Sequence, residues 1–187
     1  MKHGRSTQNS VNTVRWYAIH PVPAPLYNDD EIAKLIGLRK TVTIHAWNHG
    51  DPSRDGLGRV VRLNCPEDPK ALFQVELHPN PEAETVAILL KVETPGRESQ
   101  AIVRYDIQDE EHENPRWFMP RIVTARAPHA HVYNARAVKK GLRWDQCASP
   151  LLKLTKNSPE RVLTRFMEDM DIEQVGRAGE LVFEWFK

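Results

Sequence analysis

The strongest structural signal in this sequence is TVAILLKVETPGRESQAIVRYDI, which occupies residues 85–107. It holds two apolar segments, and the TPGR between them is a turn signal because of its Pro–Gly pair. Apolar runs of this length, bounded by turn residues, are typical of β-strands. Short turns without helices between successive strands favour an antiparallel meander. Further strand candidates lie at 59–63, 72–77, 121–125 and 129–134.

Helix signals flank this strand region on both sides. Asn28 is followed three residues later by Glu31, a capping-box pattern that predicts a short helix over 29–36. Near the C-terminus, Ser158 is a capping residue and Pro159 suits the first helical position. The order helix, strands, helix predicts an α+β fold. We expect a single domain with an antiparallel sheet of four to six strands, and N- and C-terminal helices packed on one face.

The two ends of the chain differ from its middle. By composition, residues 1–25 are predicted to be an extended or poorly ordered lead-in, with prolines at 21, 23 and 25. The single α+β domain is therefore predicted to span 26–187. The apolar segment at 181–186 is predicted to be an edge strand or a docking segment.

The composition is that of an ordinary globular protein. The chain has 187 residues, of which 40% are hydrophobic and 27% charged, and its net charge is +1. This near-neutral charge argues against a strongly basic nucleic-acid coat. There is no apolar run of about 18 residues and no signal-peptide core, so we expect a cytoplasmic protein without a membrane partner. Cys65 and Cys147 are expected to be free thiols, as in a reducing compartment.

Histidines carry the strongest functional signal. His129 and His131 are two positions apart, so on a strand both imidazoles lie on one face. Two such rings can act as a general acid and a general base near neutral pH. They can also chelate a metal such as zinc, with His112 or Asp106 as a third ligand. Histidines without chemistry, at the surface or capping a loop, are the third interpretation.

A basic and aromatic cluster follows the histidine strand. Lys139, Lys140 and Arg143 lie close to Trp144 in the sequence, which predicts a site for phosphate or nucleic acid. Cations of this kind contact the phosphate while the ring stacks on a base. A solvated surface is the competing interpretation. The sequence has no phosphate-binding P-loop, dinucleotide fingerprint or nucleophile elbow, so those three enzyme classes have no support.

Three motifs around these residues resemble those of a protein family. They are the H-x-N-P loop at 112–115, the P-H-x-H-x-Y strand at 128–133, and a stretch with Gly141, Trp144 and Pro150-Leu151 that is similar to G-x-x-W-x-x-P-L. The resemblance is to an uncharacterised family of small bacterial and prophage proteins. It implies an accessory protein of a prophage or mobile element, with a role in phage–host conflict such as a toxin–antitoxin system.

Two functions follow from the residues and the resemblance together. The first is a small toxin-like ribonuclease without a cofactor, in which His129 and His131 are base and acid, His112 is an alternate acid and Tyr133 donates a hydrogen bond. The second is a non-enzymatic interaction protein: an inhibitor, an antitoxin-like partner or an assembly subunit. The partner is accordingly RNA or a protein. A zinc site formed by His112, His129, His131 and Asp106 is a further alternative.

Overall fold

The computed structural model of the protein describes residues 24–175, except 55, 57, 81, 152–153 and 155–157. Within these bounds the chain forms four α-helices and eleven β-strands. None of the helices in this described part has the length and apolarity needed to cross a bilayer. Most of the predicted lead-in and the whole segment at 181–186 lie outside the described residues.

The elements alternate between helices and strands only near the two ends of the described chain. In order they are α1 (Asp29–Gly37), β1 (Lys40–Thr43), α2 (Ile44–Asn48), β2 (Asp51–Pro52), β3 (Arg59–Leu63), β4 (Leu72–Asn80), β5 (Thr85–Glu93), β6 (Gln100–Ile107), β7 (His112–Glu113), β8 (Ile122–Val123), β9 (His129–Val132), α3 (Ala135–Lys139), β10 (Ala148–Pro150), α4 (Pro159–Asp169) and β11 (Ile172–Val175).

Seven strands form one antiparallel sheet in the order β10-β9-β6-β5-β4-β3-β2. Strands β3 to β6 are the predicted meander, since each pairs with the next along the chain. After β7 and β8, which form a separate two-stranded hairpin, β9 returns to the sheet beside β6. The predicted α+β class and antiparallel sheet are confirmed. The sheet has seven strands rather than four to six because the short β2 and β10 extend its two edges.

Helix α1 begins at the predicted capping box. The Asn28 side chain accepts a hydrogen bond from the Glu31 amide, and the Glu31 carboxylate accepts one from the Asn28 amide, each at 2.8 Å. Ile32 and Leu35 then lie on the buried side of the helix. The helix predicted over 29–36 is confirmed and extends one residue further.

Helix α4 packs on the face of the sheet that carries Tyr105. It begins as predicted, with Ser158 as its cap and proline at its start. Phe166 packs edge-on against the Tyr105 ring with 5.3 Å between ring centroids, and the Tyr105 hydroxyl donates to Asp169 at 2.6 Å. Because side chains alternate along a strand, the neighbours of Tyr105 on β6 point to the opposite face of the sheet.

The buried side chain of Lys40 connects the C-terminal end of α1 to the C-terminal end of α4. The Lys40 side chain is 0% exposed, and β1, which begins with it, pairs in parallel with β11. Its ammonium donates hydrogen bonds to the carbonyls of Ile36 at 2.9 Å and Met170 at 2.8 Å, and to that of Leu38. These carbonyls lie at the C-terminal ends of α1 and α4, where the helix dipole favours a cation.

The two cysteines are free and buried. Burial raises the pKa of the Cys147 thiol, and the thiolate is the reactive form of cysteine. We therefore expect the native protein to react slowly with a chromogenic disulfide reagent and to show two fast thiols in guanidinium chloride. A fast-reacting thiol in the native protein would contradict this arrangement.

Candidate metal centre

Strands β6 and β9 bring Asp106, His129 and His131 together on one face of the sheet. The antiparallel register sets Asp106 opposite His129 and Arg104 opposite His131. This face is the one opposite to α4, so the predicted same-face placement of the two histidines is confirmed. Asp106 is 0% exposed and each of the two histidines is 1% exposed.

The polar atoms of these three side chains converge on one point. One ligand atom from each lies within 4.8 Å of the others. Asp106 Oδ1 lies 2.6 Å from His129 Nε2 and 3.8 Å from His131 Nε2. Asp106 Oδ1, His129 Nε2 and both nitrogens of His131 have no hydrogen-bond partner among the residues that the structure describes. The close contact is therefore not aligned as a hydrogen bond, and an unsatisfied buried polar atom costs about 1–3 kcal/mol.

Contacts with residues around the cluster orient the side chains of His129 and Asp106. The Nδ1 atom of His129 lies 2.7 Å from the Ala127 carbonyl oxygen, which can only accept, so this nitrogen carries the hydrogen. In the neutral ring, Nε2 then presents its lone pair to the cluster. Asp106 Oδ2 accepts a hydrogen bond from Gln108 at 2.8 Å and lies 2.5 Å from Arg104 Nε. The other carboxylate oxygen is thereby turned toward the histidines.

A chain of alternating charges connects the cluster to the surface. Arg104 also lies 3.3 Å from Asp145, which accepts two hydrogen bonds from Arg143 at 2.9 and 2.7 Å. The Arg143 side chain is 74% exposed, and its predicted phosphate-binding group already has a carboxylate partner. Sequence reasoning missed Gln108 and Asp145. Gln108 carries a usable signal, since it lies two positions after Asp106 and so follows the same alternation.

His112 lies beside the cluster on β7 and is only half-buried. Its ring centroid is 4.9 Å from that of His131 and 6.0 Å from that of His129, and the last two are 5.0 Å apart. Its Nε2 lies 3.0 Å from the Gln146 carbonyl oxygen. The three histidines that the sequence singled out are therefore neighbours, although the chain between His112 and His129 is long.

Burial and charge act on the titratable groups of this cluster in opposite directions. Burial alone would raise the pKa of Asp106, but the facing imidazoles of His129 and His131, with the charge of Arg104, hold it below its usual range. Burial would lower the pKa of His129, but the Asp106 carboxylate raises it overall. Burial lowers the pKa of His112 and outweighs its hydrogen bond to Gln146.

The other predicted site residues lie in different surroundings. Lys139 and Lys140 are exposed at the end of α3, and Trp144 is partly buried against the core. The Tyr133 hydroxyl accepts a hydrogen bond from the Leu26 amide at 3.1 Å. Tyr133 also lines a cavity of about 310 Å³ whose other walls include residues of α1.

Neither the comparison with protein-family models nor those with curated proteins and with solved structures found a match.

Proposed function

We propose that the protein binds one zinc ion through Asp106, His129 and His131. The observation that carries this proposal is that one ligand atom from each of the three side chains lies close to the other two. In the described structure these atoms are buried and form no hydrogen bonds. Two imidazoles and a carboxylate are a common ligand set for such ions. A histidine ligand usually donates its other N–H to a carbonyl, as His129 does to Ala127.

A proton between His129 and Asp106 is the alternative to a metal ion. It would form an imidazolium–carboxylate pair and satisfy the facing atoms of those two residues. It would leave both ring nitrogens of His131 without a partner in the described structure, at 1% exposure. Because a neutral imidazole has one donor and one acceptor, that arrangement is costly. A metal ion would bind one atom of each of the three side chains, so that a single nitrogen of His131 would stay without a partner in the described structure.

The spacing and burial of the cluster favour zinc in a closed, structural centre. Ligand atoms about 2.0–2.1 Å from a tetrahedral ion lie about 3.3 Å apart. The two distances from Asp106 Oδ1, 2.6 and 3.8 Å, lie on either side of this value. Iron(II) enzymes use the same ligand types but keep open positions for their substrates. The near-complete burial of this cluster suits an ion that stabilises the fold.

The same geometry argues against direct RNA cleavage by His129 and His131. A general acid or base must come within about 2.6–3.2 Å of the proton that it transfers. Both rings are buried, and both nitrogens of His129 face protein oxygens. A structural centre agrees better with the interaction-protein hypothesis, in which the exposed surface binds the partner. The ribonuclease, prophage and toxin–antitoxin roles stay predictions from the sequence.

Metal analysis tests the proposal. We expect protein purified without chelator to contain about one zinc per chain by mass spectrometry of the metal. The double variant His129→Ala/His131→Ala is expected to contain well under a tenth of an equivalent, because two of the three ligands are gone. His45→Ala, which removes an exposed histidine of α2, is the matched control and should keep its zinc.

Two results would count against the proposal. Wild type without zinc, iron or another transition metal, and unable to take up zinc after dialysis, would contradict a metal centre. Cleavage of labelled RNA that is insensitive to EDTA and lost in the double variant would restore the acid–base role of the two histidines.

A further inference from the structure

We infer that His112 is the fourth ligand of this metal ion, so that the ion fastens the β7–β8 hairpin to the sheet. This inference rests on the proposed function. It extends that function because His112 lies in a connection between two sheet strands, 108–128, and not in the sheet itself. A metal ligand there makes the position of the connection depend on the ion.

Ring geometry is the first support. In a tetrahedral site each imidazole nitrogen lies about 2.0–2.1 Å from the ion, which puts the ring centres of two ligands about 5 Å apart. The centroid separations among His112, His129 and His131 are 4.9, 5.0 and 6.0 Å. The three rings therefore already form a triangle of nearly the required size.

The tautomer of His112 is the second support. Its Nε2 must carry the hydrogen, because its partner at 3.0 Å is the Gln146 carbonyl oxygen. The Nδ1 atom of the neutral ring is then a lone-pair donor. His129 shows the same arrangement with its nitrogens exchanged, and a backbone carbonyl is the usual outer partner of a histidine ligand. His112 is outside the group that converges within 4.8 Å, so its ring has to move inward to coordinate.

Asn114 also attaches the hairpin to the sheet. Its side chain accepts a hydrogen bond from the Ala148 amide at 2.7 Å and donates to the Ala148 carbonyl at 2.8 Å. It thus acts as an extra strand residue beside β10. His112 lies two positions away, so inward movement of its ring needs no break at Asn114. The ion would add a second attachment next to the first.

Cobalt(II) substitution and zinc competition test the role of His112. Visible absorption of the cobalt protein reports the number and type of ligands. His112→Gln keeps an N–H donor for the Gln146 carbonyl but offers no imidazole, and His112→Ala removes both groups. We expect both variants to bind zinc at least about 100-fold more weakly than wild type, since losing an outer hydrogen bond alone costs 10–100-fold. Their cobalt spectra should differ from that of wild type, and His45→Ala should match wild type.

Hydrogen exchange adds a readout of the hairpin itself. Zinc is expected to slow amide exchange over residues 112–123 in wild type but not in His112→Gln. Variants with wild-type cobalt spectra and zinc affinity would overturn the role of His112 and leave the three-residue centre intact. Absence of metal binding by wild type would overturn both. Circular dichroism shows whether each variant is folded, and His112→Gln serves if His112→Ala is not.

Discussion

Replacement of Asp106 by alanine is expected to abolish zinc binding and to lower the free energy of unfolding by about 3–5 kcal/mol. Removal of one partner from a buried charged pair has a cost of this order, because the remaining charge is left uncompensated. Here Arg104 loses the carboxylate 2.5 Å from its Nε, and His129 loses the one 2.6 Å from its Nε2. For a chain of this size we expect the melting temperature to fall by roughly 6–20 °C.

Two further variants show which property of Asp106 matters. Asp106→Asn keeps the shape and one oxygen but loses the charge, so it should lose zinc with a smaller loss of stability. Asp109→Ala removes a half-exposed carboxylate that pairs with Arg126, and it should change stability by no more than about 0.5 kcal/mol. Urea unfolding and metal analysis measure both effects. Retention of zinc by Asp106→Ala would show that this carboxylate is not a ligand.

Replacement of Lys40 by methionine is expected to lower the free energy of unfolding by about 3 kcal/mol. Methionine fills a similar volume, and burying it avoids the desolvation cost of the ammonium. It leaves the carbonyls of Ile36, Leu38 and Met170 without their donor, and hydrogen bonds to a charged group contribute about 1.5–3 kcal/mol each. The loss of these hydrogen bonds is therefore a larger effect than the avoided desolvation of the ammonium. Lys34→Met, on the exposed side of α1, is the matched control.

The stability difference between wild type and Lys40→Met should also depend on pH. Burial lowers the pKa of Lys40 from 10.5 to about 8, although Cys65, Asp171 and Glu67 act in the other direction. Between about pH 8 and 10.5 the unfolded chain therefore binds more protons than the folded one, so the wild type gains stability from this group as pH rises. The difference should widen from pH 8 to pH 10 in urea unfolding. A difference that narrows would contradict the lowered pKa.

Local signals in the sequence were sufficient for much of the fold. The Asn28–Glu31 capping box lies where it was predicted, because both of its hydrogen bonds join residues three positions apart. The H-x-H pattern likewise predicted one shared face from alternation alone. The parallel pairing of β1 with β11 had no such signal, because its partners are separated by most of the domain.

Less of the candidate site than of the fold could be predicted from the sequence. Its histidines and Asp106 could be named as potential ligands, but their approach depends on the register of β6 against β9. A shift of one residue in that register would move the histidines to the opposite face of the sheet. The contact between Arg104 and Asp145 joins residues that are 41 positions apart in the sequence, and no local pattern predicts it.

The bond from Lys40 to the Met170 carbonyl also sets an order of events during synthesis. The two residues are 130 positions apart. At roughly 5–20 residues per second, a ribosome needs about 7–26 seconds to translate the chain between them. Throughout that interval the nascent chain carries an ammonium and a strand edge whose partners have not yet been made. Strands β3 to β6 can pair during translation, whereas β1 can pair with β11 only after residue 175 leaves the exit tunnel.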